Sequence, residues 1–481
     1  MKQPKFKGAK AIGLIAGPAI FFLILLLAPK DVLTPEAWKV IASAAWMVIW
    51  WVTEAAPIPV TALMPIILFS ITGVFTIDEA TAPYANKIIF LFMGGFMLGL
   101  AMERHNLHKR IALNLIKKTG TNPNGIILGF MLTTAFISMW ISNTATAVMM
   151  LPIALSITDL LNVKGTSDKG KQRFALALML GIAYAANIGG TATIVGTPPN
   201  VAWVGFMDTM MDVEVSFSRY LLVGVPVAAI MLIITYLLLT RVLFRSTVEN
   251  LSESTQVIDD QLKALGRMSK AEKTVATIAI CTALAWILRS NLNTWFDTKL
   301  LSDALIAMIG AVAMFIVPIN LKENKFVLEW EYTKKLPWGI LLLFGGGLTL
   351  AKAMEKTNIV QVAGEVISSG NLNQFLLILL LCTFMLFMTE LMSNVALTVI
   401  FIPVVLGISI SLGVNPMYLS LPVTLAASYA FMMPISTPPN AIVFSSGMIK
   451  IKDMIRAGFF LNIIAILILA LLSKTLIPLI F

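Results

Sequence analysis

A polar pattern repeated at a fixed distance constrains this chain more than any other feature. Gly94-Gly95, Ser142-Asn143 and Pro152 recur as Gly345-Gly346, Ser393-Asn394 and Pro403, each 251 residues further on (345 against 94, 393 against 142, 403 against 152). Thr197-Pro198-Pro199-Asn200 returns as Thr437-Pro438-Pro439-Asn440 after 240 (437 against 197), and a polar insertion near 162–173 in the first half accounts for the difference. Spacing kept over separate landmarks marks an internal duplication. The fold must therefore be assembled from two copies of one unit.

The surroundings of the repeated residues decide the medium. Of 481 residues, 58% are hydrophobic and 12% charged, with a mean hydropathy of +0.88, far more apolar than a soluble domain. The chain reads as an all-α polytopic membrane protein. Unpaired polar groups are costly in hydrocarbon, so Ser142-Asn143-Thr144 and Ser393-Asn394-Val395 must answer to a ligand or to freed backbone. The formal charge of +10 is scattered over short loops rather than along one stripe, which excludes a nucleic-acid surface and marks membrane topology. Cys281 and Cys382 both lie in apolar stretches, so neither a disulfide framework nor a metal-ligand spacing is present.

Lys2, Lys5, Lys7 and Lys10 precede an apolar run at 11–28 that is long enough to span and has no small-residue cleavage site after it. It is read as an uncleaved first helix with a cytoplasmic amino terminus. Spans are expected at about 38–54, 57–73 and 88–102, followed by a basic amphipathic helix at 103–118 on the cytoplasmic face. The apolar stretch 124–161 exceeds what one crossing needs, and a re-entrant hairpin with Ser142-Asn143-Thr144 at its tip fits it better. Paired prolines remove amide donors and push the preceding residue out of helical geometry, so the span at 174–209 must break at Thr197-Pro198-Pro199-Asn200. An acidic extracytoplasmic loop (Asp208, Asp212, Glu214), a span at about 219–243 and a charged cytoplasmic linker at 245–273 follow.

Spans at about 274–290 and 303–318 and a charged loop at 322–335 lead into the second copy. That copy has a span at 337–352, a hairpin at 374–412, a broken span at 417–447 and a last span at 457–480. The count is about eleven transmembrane helices plus two re-entrant hairpins. Corresponding points lie five crossings apart, and an odd number means inverted repeats, with the carboxyl terminus extracytoplasmic.

Two hairpin tips and two broken helices brought together near the midplane offer free amide donors and partial positive charge at helix amino ends, and oxygen ligands at unwound carbonyls. Such a site holds an anion beside hard cations such as Na⁺. Arg and Lys are absent from both hairpins, so a multiply charged anion depends on helix dipoles or co-bound cations. Glu390, an intramembrane acid whose first-half counterpart is Met139, is read as pairing or capping rather than as a coupling group. Glu54 is read the same way, beside the kink at Pro57 and Pro59. His105 and His108 are read as solvated surface, and the glycine pairs as sites of close helix packing.

With these residues in view, the chain resembles the divalent anion/sodium symporter family, carriers of di- and tricarboxylates, over essentially its whole length. The marks are Trp51-Val52-Thr53-Glu54-Ala55-Ala56-Pro57, the two Ser-Asn motifs, both Thr-Pro-Pro-Asn motifs, and the stretch 427–443 with Ser428, Phe431, Pro434, Ser436, Asn440 and Val443 in register. The compact loops favour the plasma (inner) membrane of a bacterium, and the resemblance implies a homodimer whose protomers work as elevators. It implies scaffold helices at 1–123 and 274–370, transport halves at 124–244 and 371–481, and the linker 245–273 between them. Substrate contacts are implied for Ser142, Asn143, Thr144, Thr197, Ser393, Asn394, Val395, Thr437 and Pro438. One sodium site maps onto Ser138, Ser142, Asn143 and Gly196, the other onto Thr389, Met392, Asn394 and Ser436. Val395 departs from the family pattern, where many members carry threonine.

The function read from all this is secondary transport of C4–C6 di- or tricarboxylates (the succinate, malate, fumarate and 2-oxoglutarate class) with Na⁺ as coupling ion and no organic cofactor. A sodium-independent dicarboxylate exchanger on the same fold is the alternative. An anion channel fits two mirrored broken-helix sites poorly. An enzyme lacks a metal triad or acid/base pair near the tips.

Overall fold

The structure is a computed structural model that describes residues 8–29, 33–163, 168–246, 248, 252–368 and 373–481. Lys2, Lys5, Lys7 and Lys164 lie outside the described residues, as do parts of the polar insertion and of the linker. Apolar sequence becomes helix almost throughout, because a helix satisfies every backbone group within its own segment. Seven helices among the described residues are long and apolar enough to cross a membrane, from Gly8–Leu27 to Ile451–Ile480. Four shorter apolar helices accompany them: Ile58–Ile71, Pro123–Ser138, Asp303–Ile316 and Gln374–Met388.

Helix Gly8–Leu27 shows how the outer layer is made. Its buried residues are Gly13, Gly17 and Phe21, one stripe at a spacing of four, while Ile12, Ile15, Phe22 and Leu26 point outward. Such a surface suits lipid rather than water. The two glycines let helix Pro35–Thr53 approach closely, and the Trp50 indole donates to the Gly13 carbonyl at 3.1 Å. That second helix ends at Glu54, which adopts a left-handed backbone with φ 50° just before Pro57 and Pro59. A new helical segment then starts at Ile58.

The repeated glycines cross-link the two copies. A Cβ on Gly94, in helix Lys87–Arg104, would meet Ala307 of the second half at 2.8 Å. A Cβ on Gly346, in helix Trp338–Lys356, would meet the Ala62 carbonyl of the first half. Each copy thus opens a groove for a helix of the other. Both long helices close at an asparagine in left-handed geometry, Asn106 (φ 55°) and Asn358 (φ 56°), and turn there into a short amphipathic helix, Leu107–Lys117 or Ile359–Ser368.

Four features depart from the sequence reading. Helix Ile359–Ser368 was not expected, although its counterpart Leu107–Lys117 was. The stretch 245–273 holds helix Ser252–Leu265, which lies against Leu107–Lys117 through Lys117–Asp259 at 2.6 Å. Next to it Arg110 pairs with Glu272 at 2.7 Å and donates to the carbonyls of Leu265 and Gly266. The charged loop contains a two-stranded hairpin, Pro318–Asn320 with Lys325–Phe326, so the fold is not wholly α. The two histidines are not free surface groups: half-buried His105 has Nε2 2.8 Å from the Val327 carbonyl, and buried His108 has Nδ1 3.0 Å from that of Met102. Burial pushes the His108 imidazole below its usual pKa.

Candidate functional site

Both Ser-Asn motifs and both Thr-Pro-Pro-Asn motifs sit where a helix begins. Helix Pro123–Ser138 stops, residues 139–142 form a tip, and helix Asn143–Val163 starts again, with Ser142 Oγ accepting the Ala145 N–H at 3.2 Å. In the second copy Gln374–Met388 stops and Ser393 caps Asn394–Ser411. The broken spans behave alike: Asp168–Gly190 yields to Pro198–Met211 after Thr197, and Pro416–Ser428 to Pro438–Phe444 after Thr437. Proline at the first helical position forgoes a donor that no helix start can use internally. All four amino-terminal ends face one cavity of about 810 Å³.

The wall of this cavity brings together all nine residues expected to contact substrate: Ser142, Asn143, Thr144, Thr197, Ser393, Asn394, Val395, Thr437 and Pro438. Of the residues assigned to sodium, Gly196, Met392 and Ser436 are on the wall too, whereas Ser138 and Thr389 lie behind it, fully buried. The charged residues on the wall, among those described, are Glu54, Glu103 and Lys335. Deeper in, the surface holds only neutral side chains and helix ends. Partial positive charge from aligned peptide dipoles is the electrostatic feature there.

Breaking a helix frees carbonyls, and the asparagine of each Thr-Pro-Pro-Asn covers them. Asn200 Nδ2 donates to the Thr193 carbonyl at 2.8 Å and lies near those of Thr191 and Gly190. Asn440 Nδ2 donates to the carbonyls of Ala430 at 3.0 Å and Met433 at 3.1 Å. At the 240-residue spacing Gly190 corresponds to Ala430 and Thr193 to Met433, so two carbonyls of each set match. The freed amides of the second break go to Glu390: Oε1 accepts from Phe431 N at 2.7 Å, Met432 N at 2.8 Å and Asn462 Nδ2 at 3.1 Å, and Oε2 from Met433 N at 3.1 Å. Capping is therefore the role the geometry gives Glu390.

The oxygen atoms available to a cation differ between the halves. Ser138 Oγ and Asn143 Oδ1 are buried and accept from no group among the described residues. Gly190 is packed beside Asn143 so tightly that a Cβ on it would lie 2.7 Å from Asn143 Oδ1, and one on Gly196 would meet the Gly190 carbonyl. In the second half the Thr389 hydroxyl lies 2.7 Å from Asn394 Oδ1 and 2.6 Å from the Ala427 carbonyl, and Ser436 Oγ donates to the Met433 carbonyl at 2.6 Å. Among the described residues no group of three or more His, Cys, Asp or Glu is placed to hold a metal. An all-oxygen neutral donor set fits a hard monovalent cation.

Sequence reasoning gave Asn187 no role, yet it is on the cavity wall and 2% exposed. The rule that singled out Ser142, a polar side chain in an apolar helix, applies to it equally.

Residues 9–481 match the family described as the sodium:sulfate symporter transmembrane region. The chain is similar to the sodium-dependent dicarboxylate transporter SdcS of Staphylococcus saprophyticus, 38% identical over 483 residues that take in 99% of this chain and 93% of the relative. The SdcS of Staphylococcus aureus strain USA300 is 39% identical over 489 residues, covering 100% and 93%. Among solved structures, the YdaH transporter of Alcanivorax borkumensis superposes with a TM-score of 0.56 at 14% identity over 92% of this chain and 98% of that one. MtrF of Neisseria gonorrhoeae does so at 0.56 and 12%, over 97% and 95%. At such identities the likeness is one of fold.

Proposed function

The chain belongs to the sodium:sulfate symporter family, and from that premise we propose that it is a secondary active transporter of C4–C6 dicarboxylates and tricarboxylates, driven by Na⁺. The observation that carries this reading is the convergence of four helix amino ends on one cavity whose depth has no cationic side chain. A dianion there needs positive charge from dipoles and from co-bound cations. The orphaned oxygens of Ser138 and Asn143, the latter against the Gly190 backbone, are the place where Na⁺ would be held. Sodium would supply the missing counter-charge, so anion and cation binding reinforce each other. The SdcS relatives are named as sodium-dependent dicarboxylate transporters, which supports the same substrate class.

An elevator on a re-entrant-hairpin fold accounts for the access the cavity has. Glu103, on its wall, lies at the end of the helix that leads into the basic helix Leu107–Lys117, and on that ground we assign its opening to the cytoplasmic side. On the opposite side Lys87–Asp208 (2.8 Å), Arg289–Glu214 (2.6 Å) and the Asp303 carboxylate on Phe217 N–H (2.8 Å) join the segments assigned to the scaffold to those assigned to transport. A cavity open inward and clasped outward is one of the two states alternating access requires.

Purified protein in liposomes should accumulate labelled succinate under an inward sodium gradient without internal dicarboxylate. Uptake that ignores sodium and needs internal dicarboxylate would assign exchange instead, and no uptake under either condition would end the carboxylate reading. Restoring a hydroxyl with Val395→Thr places a further donor on the wall. We expect a changed preference among succinate, 2-oxoglutarate and citrate, by about tenfold in Vmax/KM, the worth of a hydrogen bond to a charged group. Competition of the three acids against labelled succinate measures it, and an unchanged ranking would show position 395 to be silent.

A further inference from the structure

Asn187 stands outside every repeated motif, and its counterpart at the 240-residue spacing is Ala427, which has no polar side chain. The side chain reaches across the pseudo-two-fold into the second break. Its Nδ2 donates to the Ala430 carbonyl at 3.1 Å and to Thr437 Oγ1 at 3.2 Å, and lies 3.4 Å from Asn440 Oδ1. An amide nitrogen carries no acceptor lone pair, so in the pair with Thr437 the threonine oxygen must accept. Thr437 Oγ1 also accepts the Asn440 backbone N–H, at 3.4 Å.

A hydroxyl has two acceptor positions and one donor. Both acceptor positions of Thr437 are used by nitrogen donors, and among the described residues its own O–H donates to no protein group. The same hydroxyl is on the cavity wall. Without Asn187 it would be free to rotate and to turn a lone pair toward a cation. Thr197, its counterpart, accepts no such bond at the start of its helix, so only the second-half threonine is committed.

We infer that Asn187 is a positioning residue that holds Thr437 as a hydrogen-bond donor to a carboxylate oxygen of the substrate, reserving that end of the cradle for the anion. The inference rests on the carboxylate-transport reading above. It divides labour across the axis: the unpartnered oxygens of Ser138 and Asn143 serve the cation, while the oriented hydroxyl of Thr437 serves the anion.

The full-length chain in proteoliposomes tests this with labelled succinate as probe. Asn187→Ala should raise the succinate KM about tenfold, the worth of one well-oriented bond to a charged acceptor, while the half-saturating sodium concentration and Vmax stay within about twofold. Asn187→Asp should do worse, about a hundredfold in Vmax/KM, because a carboxylate takes the Thr437 proton for itself and repels the dianion. In the Thr437→Val background, Asn187→Ala should add less than about twofold, since the group it orients is gone. A merely structural role predicts the opposite: a lower Vmax and melting temperature, by the same factor in both backgrounds. Should Asn187→Ala fail to fold, the nearly isosteric Asn187→Asp carries the comparison. Succinate uptake by the wild type with an unaltered KM in the variants overturns the assignment of Asn187 alone. A wild type that takes up no carboxylate overturns the transport reading instead.

Discussion

Glu390→Ala is expected to cost the protein its folded second half. Three consecutive amides, Phe431 to Met433, are released where the helix breaks, and the Glu390 carboxylate accepts all three while also taking the Asn462 amide. The group is 3% exposed, so in the folded protein these donors rely on the carboxylate. Each donor left unpaired in a buried site costs about 1–3 kcal/mol, and four together approach the whole margin of a typical fold. Little protein should survive extraction, and what does should melt far below wild type. Glu390→Gln keeps the shape but turns an amide N–H₂ toward backbone donors, so it should fold, melt lower and transport slowly. Melting curves in detergent paired with succinate uptake separate the readings. If Glu390→Gln melted like wild type yet lost its sodium dependence, the carboxylate would be a coupling group rather than a cap.

The asymmetry behind this expectation shows what could be read from the sequence. Met139 stands where Glu390 has its carboxylate, and the first tip contributes a main-chain carbonyl that accepts the Thr193 hydroxyl at 2.6 Å. A polar residue in hydrocarbon is visible in any sequence, which is why both Ser-Asn tips were legible. A pair of prolines cannot continue a helix, which is why both breaks were. The partner of a polar group is another matter: Asn187 reaches Thr437 and Asn440 across 250 and 253 positions, and nothing local encodes that distance. The helices Ser252–Leu265 and Ile359–Ser368 escaped for a simpler reason. Each is too short and too amphipathic to register as a span, and their order comes from packing against neighbours rather than from an apolar run. Corresponding turns need not keep the spacing of 251, since Asn106 and Asn358 lie 252 residues apart (358 against 106), and the register of the two copies is set by the motifs on either side.

Asn143→Ala is expected to abolish sodium-driven transport while leaving the sodium-free protein as stable as wild type. The reason lies in what Asn143 does not do. Its Oδ1 is buried and accepts no hydrogen bond among the described residues, so its removal strands no donor, and deleting an orphaned acceptor removes a penalty rather than a bond. Asn394 provides the internal control, because its Oδ1 lies 2.7 Å from the Thr389 hydroxyl and Asn394→Ala leaves that hydroxyl with the Ala427 carbonyl alone. Both variants should lose succinate uptake by about a hundredfold or more, as deletion of a buried charge-assisted ligand does. They should differ in melting. Wild type is expected to gain stability as sodium rises, by about 2.7 kcal/mol at a hundred times the dissociation constant. Asn143→Ala should start at the wild-type melting temperature without sodium and gain almost nothing from it, whereas Asn394→Ala should start lower. A normal sodium-dependent rise in Asn143→Ala would remove this residue from the cation site. The buried orphans at the first tip would then need a different occupant, and a bound water, satisfied by Ser138 and the Gly190 and Gly196 backbone, would take the place assigned to sodium.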